Sequence, residues 1–158
     1  PVGQRIVRLL ARAGAKVRVA SRSLERSQQV CQTVGEQVPG AQLTPVATAT
    51  NDDTARAIDG VDVVFAAGAA GVTLLPRDVL LTAKSLKVAI DLNAVPPMGI
   101  EGIEAFDKAV DREGVVAYGA IGVGGTKMKI HKAAIRELFT ANDKLLDAEE
   151  LYALGQSL

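Results

Sequence analysis

The chemistry this sequence offers is carried by glycine and by one basic triplet. Three stretches are rich in glycine or other small residues: Ala67-Gly68-Ala69-Ala70-Gly71, Asp91-Leu92-Asn93-Ala94 and Gly119-Ala120-Ile121-Gly122-Val123-Gly124-Gly125. A fourth, Ser21-Arg22-Ser23, sets a guanidinium between two hydroxyls. Where no Cβ intervenes, a bound group can reach backbone N–H groups, and a run that leads into a helix adds free amides and a dipole that favour an anion or a carbonyl oxygen. A guanidinium flanked by hydroxyls suits a phosphate. One histidine, His131, one cysteine, Cys31, and no nucleophile–base constellation leave little for acid–base or covalent catalysis. The expectation is a site that binds and places, with no catalytic side chain and no metal.

The elements that must position these residues are legible from periodicity. Val2, Ile6, Leu10 and Ala13 recur at helical spacing and Gly14 stands where a helix would end, so the chain opens inside a helix. Lys16 to Ala20 alternates as a strand does. Ser23 caps a second helix with Leu24, Ser27, Cys31 and Val34 on its inner face. Gln42 to Ala47 reads as strand, Asp52 to Asp59 as a short helix, and Asp62 to Ala66 as a strand apolar on both faces, which implies a helical layer on each side. Pro76 to Ala83 as helix, Lys87 to Ile90 and Val115 to Tyr118 as strands continue the alternation. Thr126 to Phe139 and Ala148 to Leu154 read as closing helices, the latter capped by Asp147. Alternation of this kind specifies an α/β fold, a doubly wound parallel sheet of Rossmann-like type.

In such a sheet ligands sit beyond the carboxyl ends of the strands, and every stretch named above follows a strand. Three glycine-rich loops on one edge point to a dinucleotide. Pro1-Val2-Gly3 fits the tail of a G-x-G-x-x-G fingerprint, with Gly3 allowing the first helix to pack on its strand. The next strand ends at the place where NAD enzymes offer a carboxylate to the ribose, and this chain offers Ser21, Arg22 and Ser23 instead. NADP is the expected cofactor. A first strand is not in this sequence, so in the expected order a central position between the Lys16 and Asp62 strands is left without one.

Composition narrows the partners. Lys plus Arg and Asp plus Glu both number 18, so no net field draws the chain to nucleic acid or to an anionic membrane. The longest apolar stretch, Val61 to Leu75, is broken by Asp62, Gly68 and Gly71, unlike a spanning helix. A lone cysteine fits a reducing cytoplasm. The expected organisation is a Rossmann-like NADP-binding domain over 1–125, without its first strand, followed by C-terminal helices over 126–158.

Beyond the glycines, the sequence resembles the NADP-dependent methylene-tetrahydromethanopterin dehydrogenases of methylotrophic bacteria, some of which use methylene-tetrahydrofolate. The resemblance rests on Pro1-Val2-Gly3, on Ser21-Arg22, on Phe65 to Ala69 with Gly71 and Leu74-Leu75-Pro76, and on Asp91-Leu92-Asn93-Ala94-Val95-Pro96-Pro97. It continues through Gly99 to Ile103, Gly119 to His131 and Asp147 to Tyr152. It implies that Arg22 holds the 2′-phosphate, while Val2, Gly3, Ser21, Ser23, Ala67, Gly68, Ala69, Asn93, Ala94, Gly122, Gly124, Gly125 and Lys127 line the rest of the cofactor. It also implies an N-terminal α/β domain, outside this sequence, that builds the site for a one-carbon pterin, with the 126–158 helices packed on either domain, and a homo-oligomeric assembly. Hydride removal from a methylene bridge between two nitrogens leaves a delocalised cation, so no proton moves in that step and no general base is required. Two competing readings are an NADP module of a shikimate dehydrogenase-like or glutamyl-tRNA reductase-like enzyme, and a cofactor-binding fragment without turnover.

Overall fold

A computed structural model describes residues 2–158; Pro1 and its part in the fingerprint lie outside the described residues. The elements are α1 (Val2–Arg12), β1 (Lys16–Ser21), α2 (Leu24–Gln37), β2 (Gln42–Ala47), α3 (Asn51–Ile58), β3 (Val63–Ala66), α4 (Arg77–Leu80), β4 (Val88–Asp91), β5 (Lys108–Arg112), β6 (Val115–Tyr118), α5 (Gly124–Leu138) and α6 (Ala148–Gln156). The fold is α/β and Rossmann-like, with parallel pairing dominant.

Caps set the helix starts as local chemistry requires. Ser23 accepts from the Arg26 N–H, and Thr50 exchanges hydrogen bonds with Asp53 in a capping box, which starts α3 one residue earlier than the sequence suggests. Asp147 and Glu150 form the same reciprocal box at α6. On the inner face of α2, Ser27 and Val34 are buried, whereas Leu24 is exposed at the helix start. The helix expected over 76–83 is a single turn, α4, followed by tight turns.

Two features depart from the sequence expectation. β5 had no counterpart there: it pairs antiparallel with β6 through a two-residue loop, Glu113-Gly114, both at positive φ, the geometry of a hairpin turn that matches strand twist. Its charged sequence, Lys-Ala-Val-Asp-Arg, hides the strand, since as the outer strand it buries little. The second is β3. All four of its residues are apolar, yet Val63 is 44% exposed. Among the described residues the strands form two separate parallel-dominated sheets, β1-β2 and β3-β4-β6-β5, and no ladder joins β1 to β3. α1 links them, because Gly3 at its start lies against Ala67 after β3 while its other end leads into β1. Arg18 of β1 adds a tie by donating to the carbonyls of Ala57 and Asp59 at the end of α3. Each half has its own core: Val7, Ala11, Val19 and Val34 under β1-β2, and a larger cluster centred on Ala89, Ile100 and Ala117 in the other.

Candidate functional site at the carboxyl edge

At the tip of β1 the hydroxyls are used locally. The Ser21 Oγ accepts from the Ser23 N–H, and the Ser23 hydroxyl caps α2. Both fix the turn that carries Arg22. Arg22 is exposed and, among the described residues, has neither a carboxylate nor a carbonyl partner; Glu25 does not reach it. Arg5, Arg8, Arg12, Arg56, Arg77 and Arg112 all have carboxylate partners. Arg26, one helical turn beyond Arg22, and Arg136 on α5 are likewise exposed and, among the described residues, without an ion pair.

Across the gap the exits of β3, β4 and β6 lie side by side, because Phe65 pairs with Ile90 and Ile90 with Tyr118. Ala67 is half-buried and Gly68 and Ala69 are exposed, with the Leu74 side chain folded over Gly68. A Cβ at Gly3 would touch Ala67 Cβ at 3.7 Å, an ordinary contact, so the close packing of α1 on this exit does not itself demand glycine. Asp91, the last residue of β4, and Asn93 just beyond it are buried, and Ala94 to Pro97 rise into solvent. The Asn93 Nδ2 is buried and has no hydrogen-bond partner.

The third exit divides its glycines between two tasks. Gly119 donates to the Asp107 carbonyl at 2.9 Å, and Ile121 and Gly122 donate to the Ala105 carbonyl at 2.8 and 3.0 Å. A Cβ at Gly119 or Gly122 would collide with the main chain of the 104–107 turn. Those glycines let the exit lie on its own chain, and the Gly122 amide is used there. Gly124 and Gly125, by contrast, have nothing within 4 Å of an added Cβ. They open α5, whose start has no side-chain cap and no acidic residue. Lys127, exposed in that first turn, has no ion pair among the described residues. This arrangement favours an anion.

The turn under the third exit is itself anchored. Asp107 is buried, accepts from the Glu104 N–H and is bridged by Arg112 through Nε at 3.0 Å and Nη2 at 2.7 Å. The Arg112 hydrogen bonds hold the Asp107 carboxyl below its ordinary pKa. Burial pushes the Cys31 thiol up, which makes it a poor nucleophile. His131 is exposed on α5, two turns beyond its start. Among the described residues no group of His, Cys, Asp and Glu could hold a metal ion, and no helix is long and apolar enough to cross a membrane.

No protein-family model matches the chain. Two curated relatives resemble it. Over 145 residues, 92% of this chain, it is 39% identical to the bifunctional protein MdtA of Methylorubrum extorquens, of which it spans 50%. Over 102 residues, 63% of this chain, it is 40% identical to the NAD(P)-dependent methylenetetrahydromethanopterin dehydrogenase of the same organism, of which it spans 34%. The chain thus covers half or less of the relatives it matches.

Sequence reasoning missed the roles of Asp107, Arg112 and the 104–107 turn. The available signal was local, Asp107 five residues before Arg112 and then Glu113-Gly114, a hairpin preceded by a charge pair.

Proposed function

We propose that this chain is the NADP-binding part of a cytoplasmic dehydrogenase that moves a hydride between methylene-tetrahydromethanopterin or methylene-tetrahydrofolate and NADP, giving the methenyl form. The observation that carries the cofactor half is the unpartnered Arg22 at the tip of β1, held out by a turn whose two serines fix its backbone. A buried or bridged arginine would have nothing left for a 2′-phosphate; this one retains its full fork of donors. Support for the reaction comes from the two relatives, one of which is named for a methylenetetrahydromethanopterin dehydrogenase.

The exits of β3, β4 and β6 and the start of α5 fit the remainder of a dinucleotide. Gly124 and Gly125 leave room for close approach, and the uncapped first turn of α5 with Lys127 favours negative charge. A nicotinamide ring supplies hydride acceptance and donation when bound. The chain's own part is binding, orientation and exclusion of water by rigid strand exits, which accounts for the scarcity of acid–base groups. The pterin would be held between this edge and an N-terminal α/β domain in a homo-oligomeric protein.

The test is hydride transfer by the full-length polypeptide, followed at the reduced nicotinamide absorbance, with each of the two methylene carriers against NADP and NAD. Turnover with either carrier and preference for NADP is the expected result. NADP binding with no turnover on either carrier would instead assign a cofactor-binding module, and no binding of either nucleotide would remove the proposal.

A further inference from the structure

Asp91 is 1% exposed, which makes it the most deeply buried ionisable group among the described residues. Its two oxygens have separate tasks. Oδ1 accepts from the Asn93 N–H at 2.9 Å, and Oδ2 accepts from the Ile100 N–H at 2.8 Å. Among the described residues no lysine or arginine bonds it. A buried carboxylate without a cation is costly, and it persists where its hydrogen bonds hold something in place. What these two hold is a nine-residue excursion, pinned at both ends to a single side chain on the last residue of β4.

The excursion is tied to its neighbours from the same point. Leu92 donates to the Ala66 carbonyl at 3.0 Å, and Leu74 and Leu75 both donate to the Gly99 carbonyl at 2.8 and 2.9 Å. Gly99 lies flat on the anchor: a Cβ there would sit 2.5 Å from Asn93 Nδ2 and 2.8 Å from Asp91 Oδ1. The β3 exit and the β4 exit therefore take their positions from one carboxylate, and Asn93, 6% exposed, is wedged between it and Gly99. Only Ala94 to Pro97 stand free.

We propose that Asp91 is a positioning residue. It sets where Asn93 and the Ala94–Pro97 crest stand over the carboxyl edge, and thereby the placement of the reacting ring, without itself exchanging a proton. The inference rests on the dehydrogenase reading above. Because Arg22 lies beyond the gap on the other sheet, loss of this anchor alters placement and leaves phosphate recognition intact.

The test uses the full-length protein with Asp91→Asn, which keeps the shape and exchanges one acceptor for a donor facing an N–H. Hydrogen exchange at the Asn93 and Ile100 amides should accelerate at least about tenfold, and kcat should fall about tenfold to a hundredfold, the scale of a small misplacement. The Michaelis constant for NADP should stay within about threefold, and the pH profile of kcat should keep its shape, as it would not if an acid had been removed. Accelerated exchange with kcat unchanged would reduce Asp91 to a staple of the fold, and unchanged exchange would remove the anchor. If Asp91→Asn does not fold, Gly99→Ala keeps the aspartate but crowds both its Oδ1 and Asn93, disturbing the anchor from the other side; wild-type kcat in that variant overturns the proposal. A failure of the unmodified protein to transfer hydride strikes the dehydrogenase reading, whereas normal amide exchange in Asp91→Asn strikes this inference alone.

Discussion

The exits of β1 and β4 solve opposite problems. At β1 the chain makes a short turn, satisfies its serines and leaves a guanidinium with no partner among the described residues. At β4 it buries a carboxylate and uses both oxygens on its own main chain. An unsatisfied charge in water is cheap to keep and available to a ligand, while a satisfied one in the interior is rigid and available to nothing. The difference separates recognition from placement: one exit selects by charge, the other holds a surface still.

The largest test concerns whether the two exits stand in one cooperative unit at all. Between them β1 and β3 have no common ladder, and unpaired inner edges are templates for association. Residues 1–158 alone are expected to aggregate or to unfold without a sharp transition in calorimetry; a monomer with a two-state melt would show that α1 and the Arg18 tie suffice to join the halves. Within the third exit, Gly122→Ala should destabilise by about 1–3 kcal/mol or more, because the added methyl overpacks the Asp107 carbonyl, while Gly124→Ala should be neutral or gain up to about 1 kcal/mol of helix stability. Denaturant midpoints of the two variants decide it, and equal losses would contradict the division of labour among those glycines. Arg22→Asp should raise the Michaelis constant for NADP by about a hundredfold, since a hydrogen bond to a charged group contributes about 1.5–3 kcal/mol, and leave that for NAD within a few-fold. A parallel loss on both nucleotides would take Arg22 away from the 2′-phosphate.

Periodicity exposed most of the fold because the buried strands and amphipathic helices of an α/β chain repeat their signals. β1, β2 and β6 lie where the pattern put them, and β4 runs one residue later than Lys87 to Ile90, which takes Asp91 into the strand. β5 escaped because an outer strand of charged residues carries no hydrophobic pattern, and its hairpin is encoded by two positive φ angles, one of them at Glu113, which sequence does not advertise. At the edge, the residue types were legible and their use was not. A run of glycines looks the same whether it admits a ligand or its own backbone, and Gly119 and Gly122 do the second. Asp91 shows the same limit from the other side: D-x-N-A marks a special loop, but that the carboxylate reaches Ile100 is a fact of closure in three dimensions.

The smallest expected effect sharpens the contrast between free and engaged cations. On α1, Arg5 and Arg8 converge on Asp147 at the start of α6 at 2.9 and 3.0 Å, and Arg8 also bonds Glu149 at 2.7 Å. The Arg5 hydrogen bond first, then that of Arg8, lowers the Asp147 pKa to about 2 from its ordinary 3.8. A carboxyl whose folded pKa is depressed adds stability above its unfolded pKa and loses it as the pH falls through the folded one, so this tie between α1 and α6 should weaken progressively between pH about 4 and about 2. The Asp147 side chain is 41% exposed, so screening keeps the effect small. In the full-length protein the melting temperature of Asp147→Asn should lie slightly below wild type at pH 6, and the two curves should converge as the pH approaches 2. An Asp147→Asn protein that stays below wild type by the same margin across that window would mean that the loss is one of capping, and that Arg5 and Arg8 are as free in solution as Arg22.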